Sequence, residues 1–205
     1  MDGDLAKLAL AMPDMRIVAM DLEYGDDTEP FVELGIARWD CGVRSGRHII
    51  VGEHPGPIIY RHGMTERLPL GAACRVLTDE LWDADAIAGH DLSGDRLRLN
   101  KVGLSLRHLP TYDTAKISKR IFTPGLQAQL RAMLQIYGIS TEGIHNAGND
   151  AWAVIDLLVE MTRQGTAPCA GPDGTYRHPR ERSDILRDRR TRNGYVVEPG
   201  GRETP

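Results

Sequence analysis

The sequence predicts a mixed α/β sheet with helices packed on its faces. Three observations lead there. Met15 to Tyr24, "MRIVAMDLEY", is a near-continuous apolar run of the kind found in a central strand buried on both sides. Two further strand-like runs follow it across short turns, which makes an antiparallel set of three. After Pro69 the chain alternates helical stretches with short apolar ones, the pattern of parallel β/α units.

The elements follow in order. The first run ends in charge and is closed by the turn sequence "GDDTEP". "FVELGIARWD" places Phe31, Glu33, Gly35 and Ala37 on one face and Val32, Leu34, Ile36 and Arg38 on the other. "CGVRSG" is the next turn, and Arg47 to His54 is the third strand. Pro55 to Pro69, rich in Pro and Gly, reads as a loop. Ala73, Val76, Leu77 and Leu81 then recur at helical spacing. "ADAIAGH" (Ala84 to His90) is a short buried strand, "LSGDRLRLNKVG" a helix ending near Gly103, and "PTYDTAKI" (Pro110 to Ile117) the last strand. Leu126, Leu130, Met133, Leu134 and Tyr137 form a helical stripe that Gly138 closes as a C-terminal cap. The final helix starts near Asn146, a good N-cap residue, and runs toward Gly165. Residues 1–14 read as an N-terminal extension, 15–164 as the domain, and 165–205 as a flexible tail rich in Arg, Gly and Pro.

Composition narrows the function classes. The 205 residues carry a formal charge of -4, so the molecule as a whole does not attract polyanions. Any contact with nucleic acid needs local cations or bound metal. Cys41, Cys74 and Cys169 are too few and too far apart for a disulfide framework or a zinc knuckle. No stretch reads as a signal peptide or a membrane span. The expectation is a cytoplasmic or nuclear protein with no membrane partner.

The chemistry resides in acidic residues at the ends of elements. Asp21 and Glu23 lie two apart at the end of the first strand, so both point to one side of the sheet. Asp95 opens a helix just after the fourth strand, and Asp150 lies in the first turn of the last helix. If that helix crosses the sheet beside the first strand, four carboxylates converge. Such oxygen-rich sets suit Mg²⁺ or Mn²⁺. Two such ions about 4 Å apart clamp a phosphodiester. His145, on the loop before the last helix, is then placed as the general base for an attacking water. Each residue also has an ordinary reading: a solvated strand end for Asp21 and Glu23, helix-dipole pairing for Asp95 and Asp150, a surface or core histidine for His145.

The order of these residues resembles the DEDDh branch of the ribonuclease H-like 3′–5′ exonucleases. Asp21 and Glu23, then Asp95, then His145 and Asp150 match its motifs, within a likeness running from Met15 to Gln164. The resemblance implies a five-stranded mixed sheet with helices on both faces, two divalent metals (Mg²⁺ or Mn²⁺) bound by the four carboxylates, and removal of nucleotides from a 3′ end. The substrate it implies is single-stranded RNA or DNA. Some relatives pair to complete their substrate groove, so it also allows a homodimer. The wording "GHDLSGD" and "IHNAGNDA" is most similar to a fungal subgroup named for its genetic link to an RNA helicase of messenger-RNA export, which favours RNA.

Three positions depart from the family pattern: Tyr24 where Thr or Ser is common, Asp91 where Asn is common, and Gly94 where an aromatic is common. Leu22, Tyr24, His90, Asp91 and Trp152 are the candidate substrate contacts; Trp152 reads as a packing residue or as a base-stacking one. Asp113 and Thr114 read as structural. The departures keep a second reading open, a non-catalytic ribonuclease H-like module that binds RNA or an RNA-handling protein. The tail cannot supply a core, so deleting Gly171 to Pro205 is expected to leave folding and cleavage of short oligomers intact while weakening the binding of long strands and its salt dependence. Aggregation of the shortened chain would show that the tail is integral.

Overall fold

The computed structural model describes residues 3–25, 30–52, 59–106, 108–121 and 129–165. Its centre is β1 (Arg16–Glu23), the apolar run that opens the domain. β2 (Glu33–Asp40) pairs with it antiparallel, and β3 (Val43–Val51) pairs antiparallel with β2. β4 (Thr65–Leu68) adds to β3 in parallel. On the other side of β1, β5 (Ala86–Gly89) and then β6 (Thr111–Asp113) extend the sheet in parallel. The order is β4-β3-β2-β1-β5-β6. The mixed sheet therefore has six strands where the resemblance implied five. The added strand, "TERL", lies in the segment read as a loop and carries no apolar pattern. Its pairing is fixed from across the sheet: Arg47 grips Glu66 through two 3.0 Å hydrogen bonds, and His48 meets the Thr65 hydroxyl at 2.9 Å.

Helices cover both faces. The helices are α1 (Gly3–Ala11), α2 (Leu70–Leu81), α3 (Ser93–Lys101), α4 (Thr114–Ile121), α5 (Leu130–Ile136) and α6 (Ala147–Gly165). Alternation along β1 splits the core in two. Val18, Met20 and Leu22 pack with Leu77 and Leu81 of α2 and Leu99 of α3. Ile17 and Ala19 pack with Val154, Leu157 and Leu158 of α6. The N-terminal stretch read as an extension belongs to this second core: Leu5, Leu8 and Met12 are buried in it, and α1 lies against α6. Those three positions form too short a stripe to announce a packed helix without its partner. The last strand is also shorter than expected. Asp113 Oδ1 accepts from the N–H groups of Ala115 and Lys116, which caps α4 and turns the chain from strand to helix at Thr114. Leu126 and the tail lie outside the described residues. Among the described residues no helix is long and apolar enough to cross a membrane.

The seating of α6 positions everything that follows. Its first turn rests on β2 and β3, where the sheet offers small residues. A Cβ on Gly35 would come within 1.8 Å of the Ala147 carbonyl oxygen, so only glycine lets helix and strand approach this closely. Gly148 returns the fit, since a Cβ there would lie 2.8 Å from that of His48. Gly35→Ala is expected to destabilise the fold by about 3 kcal/mol, the upper end of ordinary overpacking costs, because the obstructing atom is backbone. Denaturant unfolding checks this, and a variant as stable as the parent would show that α6 can lift away without penalty.

Candidate active site

Asp21 and Glu23 occupy the end of β1 on the face that α6 covers, the side shared by Ile17 and Ala19. Across the register Asp21 lies opposite Gly35 and Glu23 opposite Glu33. The glycine contact that lets α6 settle therefore also brings Asp150, in its first turn, toward the two strand carboxylates. Asp95 arrives from the other direction, in the first turn of α3 just past the end of β5.

The N-terminus of α6 is held by four side chains. Asn146 caps it, its Oδ1 accepting from the Asn149 N–H at 3.1 Å. Asn149 in turn donates to the carbonyls of Ile59 and Gly143 and accepts from the Arg61 N–H, tying two loops to the helix. Asp150 reaches back to the His145 N–H, at 3.3 and 3.2 Å from its two oxygens. His145 has φ +72°, a left-handed conformation rare for residues with a Cβ. That hydrogen bond helps hold it, and the imidazole stays exposed in the same cavity as Asp150. The fourth is Glu33, 3 % exposed, which accepts from the Ala147 N–H at 3.2 Å and from Asn146 at 3.4 Å and lies 2.9 Å from His48 Nε2.

The carboxylates perturb one another. Burial raises the pKa of Asp21 well above the ordinary range, and Asp95, Asp150, Glu23 and Glu33 push it further. Burial lifts Asp95 to about 6; the Tyr24 hydroxyl works against that shift, while Asp91 and Glu23 add to it. Burial lifts Asp150 to about 7, opposed by the His145 N–H and reinforced by Glu23. Glu23, His145 and Asp150 each offer one ligand atom, all within 4.8 Å of one another. An oxygen-rich donor set whose members resist ionising together fits a hard divalent cation, which would relieve the repulsion.

A cavity of about 510 Å³ opens over Asp150 and His145. His90, Asp91, Gln129, Leu130, Arg131 and Ile144 complete its lining. The Thr114 hydroxyl donates to the Gly89 carbonyl, so His90 Nδ1, 2.9 Å away, is the donor to Thr114 and the tautomer is set. Asp91 has φ +64°; its N–H donates to Asp113, and its side chain accepts from Ser93. Asp113 accepts from the N–H groups of Asp91, Ala115 and Lys116, so it and Thr114 hold neighbouring backbone.

Two candidate substrate contacts are placed elsewhere. Leu22 has the opposite parity to Asp21, and its side chain is buried in the core beneath α2 and α3. Trp152 is two residues past Asp150, which on a helix turns it away. It stacks on His62, ring centroids 4.1 Å apart and 3° from parallel, and it is absent from the cavity lining. Tyr24 does reach the cluster, its hydroxyl donating to Asp95 Oδ1 at 2.6 Å; like Asp21, Glu23 and Asp95 it is not among the residues lining that cavity.

The sequence reading missed Arg131, Gln129 and Glu33. An acid in phase with Gly35 and Ala37 along β2 was the available sign that Glu33 is buried and paired. Arg131 and Gln129 carried no comparable sign.

Residues 84–161 match one known family. Its description is DEDDh_C, the C-terminal domain of proteins like the epsilon subunit of DNA polymerase III. The matched stretch holds Asp95, His145 and Asp150, while Asp21 and Glu23 precede it. The fold is similar to the Saccharomyces cerevisiae apo Pan2 pseudoubiquitin hydrolase–RNA exonuclease module in complex with AAUUAA RNA. The two share 16 % identity at a TM-score of 0.57, over 91 % of this chain and 34 % of that one. The Neurospora crassa Pan2 catalytic unit, with protease and nuclease domains, gives 16 % identity and a TM-score of 0.53 over 86 % and 29 %. The chain thus spans about a third of the length of these structures, and at this identity the likeness concerns the fold. No curated protein matches the sequence.

The carboxylate cluster dictates a pH dependence. Asp95 and Asp150 have folded pKa values above those of the unfolded chain, so without metal the native state binds more protons between the two. The stability they contribute is complete below about pH 4, the ordinary carboxylate value, and is lost as pH rises through about 6 and about 7. Chelated protein is expected to lose stability from pH 4 to 8, Asp150→Asn to flatten that slope, and Mn²⁺ to restore stability at pH 8. Denaturant unfolding across pH checks it; an unchanged slope in the variant would place the effect elsewhere.

Proposed function

We propose that this chain is a divalent-metal-dependent 3′–5′ exonuclease acting on single-stranded ends, with RNA favoured over DNA. The observation that carries the reading is the convergence of carboxylates from β1, α3 and α6 with an imidazole on the loop before α6. The match of residues 84–161 supports the exonuclease reading, and the resemblance of the wording "GHDLSGD" and "IHNAGNDA" to the messenger-RNA-export subgroup is the ground for favouring RNA. Asp21, Glu23, Asp95 and Asp150 would hold two Mg²⁺ or Mn²⁺ ions, which when bound activate water and neutralise charge on a phosphodiester.

The chain's own groups supply the rest. His145 takes the proton of the attacking water, and the Asp150 hydrogen bond to its backbone keeps the imidazole at the cavity. Arg131, exposed in the same cavity, gives an acidic site a cation for the scissile or adjacent phosphate. His90, Asp91 and Gln129 offer polar contacts to a terminal nucleotide. The substrate partner is a single strand, and a homodimer is the assembly we propose to look for.

A base and a ligand respond differently to removal. His145→Ala is expected to lower turnover by about two orders of magnitude or more while leaving Mn²⁺ and substrate binding in place. Asp150→Asn is expected to weaken metal binding together with activity. The assay uses RNA and DNA single strands labelled at the 5′ end, with Mn²⁺, Mg²⁺ or chelator, and reads a ladder of shortening products. Binding of the strand by the parent protein without a ladder in either metal would replace the enzyme by a nucleic-acid-binding module.

A further inference from the structure

Tyr24 leaves β1 on the opposite side from Glu23 and meets Asp95, 71 positions further along the chain. Its hydroxyl donates to Asp95 Oδ1 at 2.6 Å, the short distance of a charge-assisted O–H bond. The backbone of Leu22 also favours the charged form of this carboxylate. The Arg98 guanidinium, one turn after Asp95 on α3, lies 4.8 Å from the centroid of the Tyr24 ring. A Cβ at position 94 would come within 2.9 Å of the same hydroxyl. The missing side chain of Gly94 is the space in which the phenol reaches Asp95.

We propose that Tyr24 is a positioning residue for Asp95, with Gly94 and Arg98 as the two parts that make its placement possible. This deepens the metal-dependent reading above and rests on it. A carboxylate with one oxygen held by a fixed donor presents the other in a defined direction, and partners of this kind tune the affinity of a metal site. Asp95 is the first charge among those acting on Asp21, and Glu23 acts on Asp95, so this carboxylate lies within electrostatic reach of the acids at the end of β1. A ring 39 % exposed contributes little to the core, which leaves the hydroxyl as the reason for a tyrosine here.

Tyr24→Phe keeps the ring and its contact with Arg98 and removes the donor. Measured on the full chain by Mn²⁺ electron paramagnetic resonance, it is expected to weaken binding of one ion about tenfold. The melting temperature in chelator should fall modestly, because a buried carboxylate loses a donor, and turnover on a short oligomer should fall while KM holds. Gly94→Ala places its methyl against the end of a side chain and not against backbone, so it should fold and give the same loss by displacing the phenol. The double variant should be no worse than either single one, because both remove a single hydrogen bond. Parent-like Mn²⁺ affinity in Tyr24→Phe, or losses that add in the double variant, would overturn the proposal. A lower melting temperature in chelator without a change in Mn²⁺ affinity would do so too, leaving Tyr24 a structural contact. Absence of Mn²⁺ binding by the parent chain is a different result: it would overturn the two-ion reading itself and this proposal with it.

Discussion

The contact between the first turn of α6 and the small residues of β2 is the constraint on which the rest of the structure depends. Gly35 admits the Ala147 carbonyl at a distance no side chain would allow. Glu33, two residues earlier, then meets the helix N-terminus with a buried carboxylate that accepts from its backbone. A negative group at the positive end of a helix is favourable, more so where water is excluded. Glu33 is also paired with His48, which spans to Thr65 on β4, so one buried chain of polar contacts links the sheet edge to the helix. Removing one partner of this contact costs about 1–3 kcal/mol, since the other is left buried and unsatisfied. Rigidity at this junction sets where Asp150 and His145 stand relative to β1.

The cluster that results is electrostatically unfavourable by itself. Asp21, Asp95 and Asp150 all have pKa values pushed up, by burial first and by their acidic neighbours after it. Nothing in folding requires such a gathering, and the cost is consistent with a site that works with cations bound. The donors around it are arranged for negative charge: the Tyr24 hydroxyl on Asp95, the His145 N–H on Asp150, and the Arg131 side chain in the cavity. Two left-handed residues, Asp91 and His145, stand on the rim, where strained backbone is held by specific hydrogen bonds to Asp113 and Asp150.

Two of the departures from the pattern of the resembled family acquire a shared meaning in three dimensions. Tyr24 and Gly94 are 70 positions apart, yet the phenol occupies the volume that a side chain at 94 would fill. The ring at one position takes the room that glycine leaves at the other. Leu22 and Trp152 show the opposite lesson. Each sits within two residues of a carboxylate of the cluster, and each points away from it, one through strand alternation and the other through helical rotation.

Much of this could be read without coordinates, because it depends on local periodicity. The buried strand at Met15 to Tyr24, the antiparallel set beside it, the stripe of α5, the Asn146 cap and the Asp21–Glu23 parity follow from spacings of two and of 3.6 residues. The order of acids and the histidine before the last helix also named the candidate site residues. Tertiary structure decided the rest. The strand at Thr65–Leu68, the burial of α1 and the early end of β6 depend on partners distant in sequence, Arg47 and His48 for the first, α6 for the second and Asp113 capping for the third. Glu33 as an anchor, Arg131 in the cavity and the pairing of Tyr24 with Gly94 are likewise contacts between elements. Periodicity reports which face of an element is apolar; it carries no information about which other element that face will meet.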